Sequence, residues 1–230
     1  MLIIGHRGAA GLAPENTIGS FEAAVEAGVD MLEFDIRLTR DKVPVVIHDS
    51  RLIRTHGVAG TISQMSLAEI QLATKESPVP TLTEVLDMFF GKKLLNIELK
   101  SRGSAKIVHN IISQRARKDQ NKWDNVLISS FIVSELITMR RLDSLANLAL
   151  LHDNNPFTFM AYQRFLKLTA VGFHRLHTNR FATDVASKSG LFCYLYTVNL
   201  PSSAKHFAQL GFDGIVTDYP DKIASQIKLG

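Results

Sequence analysis

The sequence predicts an α/β fold, a TIM-type (β/α)8 barrel, on three observations. Strand-like and helix-like segments alternate along its whole length, the pattern of a parallel sheet with helical crossovers. Its 230 residues match the size of a compact barrel of this kind. Acids and bases stand at the ends of short apolar runs, where they are costly to bury unless paired or bound to a metal. The chain shows no internal repeat, low-complexity tract or interdomain linker. Residues 1–230 are expected to form one domain.

Strand-like runs fall near 2–5, 29–37, 43–48, 94–99, 126–130, 147–151, 170–174, 191–198 and 213–217. Helical patterns fall near 16–27, 66–73, 81–90, 103–117, 134–142, 157–167, 180–189, 201–210 and 220–228. Leu2-Ile3-Ile4 makes the first strand. Asn16-Thr17 offers a cap for the first helix and Gly28 a stop, and Gly211 follows Leu210 in the same way. Nine strand candidates are one too many for the barrel, and loop length resolves the excess. A parallel crossover needs a dozen or more residues, whereas only about five separate Arg37 from Val43. An antiparallel excursion hairpin over about 37–48 follows, turning near Arg40-Asp41, with a small insertion after the second barrel strand. Pro44 is tolerated because such a hairpin has edges. This turn would bring His48 back beside Glu33, whose face is shared by Asp35 two residues on. All three would then converge on the barrel end where active sites lie.

Composition narrows the partners. An apolar content of 46% supports a sizeable core. A net charge of +4 fits a small anionic substrate and falls short of a nucleic-acid signature. The densest basic run, Arg115-Ala116-Arg117-Lys118, sits at a helix end and reads as a solvated face, with an anionic-lipid contact as the other reading. Cys193 is the single cysteine, which excludes an internal disulfide and points to a reducing compartment. No apolar stretch approaches the roughly 18–20 residues of a membrane span. The first strand begins at Leu2, leaving no room for a leader. These features predict a cytoplasmic protein without a stable membrane anchor.

Glu33, Asp35 and Glu98 offer oxygen ligands from neighbouring barrel strands. Such ligands select Mg²⁺ or Ca²⁺, with Mn²⁺ also suited, over a zinc-type set. The competing reading makes them structural salt bridges with Arg37 or Lys100, but buried pairs stabilise little and the acids outnumber the nearby bases. His6 and His48 end separate strands beside these acids and suit general acid–base work near neutral pH. Asp49 either orients an imidazole or caps the next turn. Arg7 forks suit phosphate oxygens and Lys100 adds a point charge from another strand. Arg7 follows His6, so it reaches the same side only if the chain bends at Gly8, which the loop Gly8-Ala9-Ala10-Gly11 permits.

Together, His6-Arg7-Gly8, Pro14-Glu15-Asn16-Thr17, Glu33-x-Asp35, His48-Asp49 and Glu98-x-Lys100 resemble the glycerophosphodiester phosphodiesterases. The later segments Ser129-Ser130-Phe131, Tyr196-Thr197-Val198-Asn199 and Gly214-Ile215-Val216-Thr217-Asp218-Tyr219-Pro220 are similar to that family in the same order, so the resemblance spans essentially the whole chain. It implies a divalent metal and hydrolysis of glycerophosphodiesters to glycerol 3-phosphate and an alcohol, within lipid and glycerol metabolism. Motif by motif, it implies that Glu33, Asp35 and Glu98 hold the metal. His6 and His48 would take the acid and base roles, and Arg7 and Lys100 the phosphate. Many members carry Trp where this chain has Tyr196, a difference that falls on the glycerol pocket. Two alternatives accompany this reading: a lysophospholipase D-like activity on the same site, and a non-catalytic glycerol-phosphate binding module. A module would usually have lost a ligand or base, and none is missing.

Several other residues carry paired readings. Phe131 and Tyr196 line the substrate pocket or belong to the core, where aromatic residues at strand positions usually sit. Asn199 binds a ligand hydroxyl or caps the helix starting near Pro201. His174 and His177 have ligand-pair spacing, although nothing else in the chain asks for a second metal. The aromatic stretch from Phe157 to Leu166 reads as a barrel helix with a buried stripe, or as a lid touching lipid. Phe89-Phe90 is expected in the core.

Overall fold

A computed structural model describes residues 1–115 and 122–227. Arg117 and Lys118 of the basic run lie outside the described residues; Arg115 pairs with Asp87 at 2.9 Å. In chain order the elements are β1 (Leu2–Gly5), α1 (Ile18–Glu26), β2 (Met31–Leu38), β3 (Pro44–Val46), α2 (Ile53–His56) and α3 (Leu67–Ala73). Then come α4 (Leu82–Phe89), β4 (Leu94–Leu99), α5 (Ser104–Arg115), β5 (Val126–Ser130), α6 (Val133–Leu142), β6 (Asn147–His152) and α7 (Thr158–Leu166). The last are β7 (Ala170–His174), α8 (Arg180–Lys188), β8 (Phe192–Tyr196), α9 (Pro201–Gln209), β9 (Gly214–Thr217) and α10 (Pro220–Ile227). A 3₁₀ turn at Ile62–Gln64 joins α2 to α3. No described helix is long and apolar enough to cross a membrane.

Strands β1, β2, β4, β5, β6, β7, β8 and β9 pair in parallel in that order, and β9 returns to β1. The result is a closed TIM barrel with one extra strand. That strand is β3, antiparallel to the end of β2, as the short loop required. Its register differs from the expected one by a residue. Ile36 faces Val46, Arg37 faces Val45 and Leu38 faces Pro44, a ladder that would carry His48 toward Phe34 rather than Glu33. A one-residue slip changes the facing of every side chain, but here the strand ends at Val46, with one further bond in that register from the Ile47 N–H to the Asp35 carbonyl at 2.9 Å. The chain beyond it leaves the strand and turns His48 to the site by its own path. The insertion after β2 is also larger than expected: it holds α2, the 3₁₀ turn and α3 around a separate core of Val45, Ile47, Leu52, Ile62, Ile70 and Val79.

Alternation along each strand divides the molecule into two apolar layers. Ile4, Met31, Leu127, Ala149, Leu151, Ala170, Tyr194 and Val216 fill the barrel interior. Leu32, Phe34, Ile36, Leu95, Ile97 and Leu99 point outward and pack under the helices with Phe21, Phe89 and Trp123. Both faces of β2 and β4 are therefore covered, as parallel barrel strands require. The positions left over on that face of β2 and β4 are Glu33, Asp35, Arg37, Asn96 and Glu98. Gly172 on β7 is required by packing: a Cβ there would stand 2.5 Å from Leu151 Cδ2 and 2.9 Å from the Tyr194 ring. Thr17 caps α1, accepting from the Ser20 N–H, while Ser66 with Glu69 and Thr81 with Glu84 form capping boxes on α3 and α4.

Candidate active site

The parallel register of β2 and β4 sets Asp35 beside Glu98 and Glu33 beside Asn96. Three carboxylates thus share one end of the barrel, with an oxygen from each lying within 4.8 Å of the others. All are buried: 5% of Glu33, 1% of Asp35 and 8% of Glu98 remain exposed. Glu33 accepts the backbone N–H of Arg7 at 2.9 Å. Asp35 accepts from Asn16 Nδ2 at 2.9 Å and meets Lys100 Nζ at 3.3 Å and Arg7 Nε at 3.4 Å. Glu98 meets Lys100 Nζ at 2.6 Å. Arg37 takes no part; its Nε donates to the His48 carbonyl at 2.6 Å.

Burial and the two neighbouring acids hold the Glu33 carboxyl well above the usual range. Burial and Asp35 push Glu98 up to about 7, against the pull of Lys100. Burial acts on Asp35 too, but Lys100, Arg7 and His48 outweigh it and keep this carboxyl below its ordinary value. The cluster is short of positive charge even with Lys100 and Arg7 beside it. An all-oxygen donor set with that deficit fits a hard dication such as Mg²⁺ or Ca²⁺.

Two histidines flank the acids, each steered by a carboxylate. His6 Nδ1 lies 2.6 Å from Asp218 Oδ1, and Asn199 Nδ2 donates to the other Asp218 oxygen at 2.6 Å. His48 Nδ1 lies 2.6 Å from Asp49 Oδ1. With Nδ1 engaged in both, Nε2 is the ring atom left for chemistry. Burial lowers the pKa of His48, opposed by Asp35 and by the bond to Asp49. Asp218 stays below the usual carboxylate range because its bonds to His6 and Asn199 outweigh burial. Arg7 joins His6 at the site because the backbone turns there: Arg7 has φ 51° and Gly8 has φ 85°. A Cβ on Gly8 would stand 2.4 Å from Ser20 Oγ, so the turn needs glycine.

These groups line one cavity of about 550 Å³. His6, Arg7, Glu33, His48, Glu98 and Lys100 form one half of its wall. Asn96, Ser129 and Tyr194 add polar atoms that are buried. His174 and Tyr196 face the acids from β7 and β8 across the barrel, and Phe131 stands just after β5, next to β4. Phe131 and Tyr196 meet edge to face at 6.1 Å, and Tyr196 donates its hydroxyl to the His152 carbonyl at 2.7 Å. Lys100 Nζ stands 5.7 Å above the Phe131 ring.

The structure brings together Glu33, Asp35, Glu98, His6, His48, Arg7, Lys100, Phe131 and Tyr196. Asp49 orients the His48 imidazole. Asn199 does not cap α9, which has no side-chain cap; it clamps Asp218 and stands in the cavity wall. Asn16 likewise grips Asp35 rather than capping α1. His174 and His177 stack at 5.0 Å, and His177 Nδ1 bonds the Asp153 carbonyl. Among the described residues the only candidate metal cluster is Glu33, Asp35 and Glu98. Helix α7 buries Phe159 and Leu166 and leaves Phe165 exposed. Sequence reasoning missed Asp218, although an acid just past the final strand carries the same signal that singled out Glu98. It also missed the parts played by Glu15 and Arg54, which no local pattern marks.

Comparison with known proteins points the same way. Residues 6–222 match the model of the glycerophosphoryl diester phosphodiesterase family. Bacillus subtilis YhdW is 33% identical, over 97% of this chain and 96% of its own. A glycerophosphodiester phosphodiesterase of Caldanaerobacter subterraneus subsp. tengcongensis is 30% identical, over 100% of this chain and 98% of its own. An Oleispira antarctica phosphodiesterase, solved in complex with the product sn-glycerol-3-phosphate, superposes with a TM-score of 0.89 at 27% identity. That match covers 99% of this chain and 97% of the other.

Proposed function

The chain belongs to the glycerophosphoryl diester phosphodiesterase family, and on that premise we propose a metal-dependent hydrolysis of glycerophosphodiesters to sn-glycerol 3-phosphate and an alcohol. Glu33, Asp35 and Glu98 would hold the divalent cation, and His6 and His48 form the general acid–base pair. One observation carries the reading: three buried carboxylates and two carboxylate-steered histidines converge on one cavity. When bound, a hard dication supplies charge neutralisation and Lewis-acid polarisation at the phosphodiester.

The protein's own groups do the rest. Arg7 and Lys100 stand beside the acids and balance charge on the phosphate oxygens as attack proceeds. One imidazole Nε2 takes a proton from the attacking hydroxyl, and the other gives one to the departing alkoxide. Asp218 and Asp49 fix the two rings so that neither role waits on a ring rotation. Phe131 and Tyr196 line the cavity and shape the space left for the substrate's organic arms.

The test is release of glycerol 3-phosphate from glycerophosphocholine and glycerophosphoethanolamine, first with EDTA and then with Mg²⁺, Ca²⁺ or Mn²⁺. Release restored by metal supports the reading. No release with any of the three would overturn it and direct attention to lysolipid substrates.

A further inference from the structure

We propose that Arg54, carried by the insertion after β2, is a positioning residue that aligns Arg7 and His48 as one unit. The inference rests on the functional reading above and adds to it a residue outside the cavity. Arg54 uses three guanidinium nitrogens. Nη1 donates to Glu15 Oε2 at 2.8 Å and Nη2 to Glu15 Oε1 at 2.6 Å. Nε donates to Asp49 Oδ2 at 2.5 Å. Each carboxylate then passes the constraint inward. Glu15 Oε1 also accepts from Arg7 Nη1 at 2.8 Å, and Asp49 Oδ1 holds His48 Nδ1 at 2.6 Å.

The chain of contacts therefore runs Arg7, Glu15, Arg54, Asp49, His48. Exposure falls along the Arg7 arm, from 48% for the Arg54 side chain to 18% for Glu15 and 16% for Arg7, while on the other arm Asp49 is 26% and His48 33% exposed. An isolated surface ion pair contributes little. A planar fork that grips one carboxylate with two nitrogens and a second with its third fixes directions as well as charge, which a lysine cannot reproduce. Glu15 comes from the loop after β1, Asp49 from the end of the hairpin, and Arg54 from α2. Three separate segments meet at this one side chain.

The insertion's own core explains how α2, a single turn, can present Arg54 reliably. Leu52, two residues before it, is fully buried in that core, and its N–H donates to the Gly60 carbonyl at 3.1 Å. His56 Nε2 lies 3.0 Å from the Ser77 carbonyl, which secures the other end. A short helix that would fray by itself is thus pinned on both sides of the arginine. The insertion delivers one side chain to the junction between two reacting groups.

Full-length wild type, Arg54→Ala and Arg54→Lys are compared by two measurements. Turnover of glycerophosphocholine with metal should fall about 10²-fold in Arg54→Ala, the scale of a misplacement near 1 Å. Arg54→Lys should recover little of it, and free guanidinium should restore part of the loss in Arg54→Ala. The second measurement is proton NMR of the metal-free proteins. The downfield Nδ1–H signal of His48 should weaken in Arg54→Ala, while that of His6, held by Asp218, persists as an internal reference. Wild-type turnover in Arg54→Ala with an intact His48 signal would overturn the inference. Failure of the wild type to release glycerol 3-phosphate would strike the functional reading instead, and the NMR comparison would still decide the coupling. If Arg54→Ala lacks a cooperative melt, Asp49→Asn and Glu15→Gln interrupt the arms singly. Asp49→Asn should lose the His48 signal and keep affinity for glycerol 3-phosphate, whereas Glu15→Gln should weaken that affinity and keep the signal. The same outcome in both would also reject the arrangement.

Discussion

His6 Nδ1 and Asp218 Oδ1 stand 2.6 Å apart, a contact that spans 212 residues of sequence and joins the first strand to the last. It settles which ring nitrogen of His6 remains for chemistry. Asp218→Asn should therefore lower kcat by about 10²-fold or more while the thermal midpoint changes little. His6→Ala and His48→Ala should each cost roughly 10²–10⁴-fold, the usual worth of a positioned acid or base. Steady-state kinetics beside thermal melts checks all three, and a wild-type kcat in Asp218→Asn would remove the steering role.

Glu33→Gln, Asp35→Asn and Glu98→Gln should each lose metal affinity and turnover together. Asp35→Asn should be the most severe, because Asn16, Lys100 and Arg7 all converge on that carboxylate. Calorimetric titration with Mg²⁺ or Ca²⁺ reads the first quantity and product release the second. Undiminished affinity in Glu98→Gln would take that residue out of the ligand set.

Asn16→Ala should weaken metal binding by about 10–100-fold, the common cost of removing a group that orients a ligand. Asn16 clamps Asp35 from both sides, donating Nδ2 to one oxygen and accepting the Asp35 backbone N–H at 3.3 Å. Its backbone sits at φ 59°, a conformation that Asn tolerates better than Ala. Asn16→Gly relieves that strain and should still show the weakened titration if the side-chain clamp is responsible.

His152 provides a pH signature away from the acids. It is 6% exposed, neither ring nitrogen has a hydrogen-bond partner among the described residues, and burial brings its pKa down from 6.5 to about 4. Between those values the unfolded chain binds a proton that the folded one refuses. The stability contributed by the neutral ring is thus present above pH 6.5 and lost as pH falls toward 4. His152→Leu should remove that loss. The difference between variant and wild-type melting midpoints should widen from pH 7 to pH 4, and a constant difference would contradict the assignment.

Phe131→Ala should raise KM about tenfold, equivalent to ~1.4 kcal/mol of lost binding, while kcat moves far less. The ring faces Tyr196 and lies under Lys100. A fall in kcat with unchanged KM would instead place Phe131 in the chemical step.

The barrel was legible because its strands are apolar on both faces, which makes the acids within them conspicuous. Glu33, Asp35 and Glu98 interrupt runs that otherwise bury completely, and that anomaly identifies them without any structure. Loop length alone identified the hairpin, yet its pairing lay one residue away, because a three-residue strand such as Pro44–Val46 carries too few positions to set a register. Asn16 and Asn199 stand where helix caps belong, and capping is a local signal. Their actual partners, Asp35 and Asp218, lie 19 residues away in each case, beyond what a local pattern encodes. Arg54 is half-exposed in a polar segment, and its importance comes wholly from the three chain segments that meet around it.

The three acids proposed to hold the metal all come from one seam of the barrel, where Asp35 of β2 lies beside Glu98 of β4. His174 and Tyr196, from β7 and β8, stand across the cavity, and Phe131, just after β5, stands beside β4. On the proposed reading, bond cleavage belongs to β2 and β4 with the two histidines, and β7 and β8 shape the substrate pocket from across a closed ring. Substitutions on β7 and β8 could then recast the pocket for a different alcohol and leave the acids of β2 and β4 untouched.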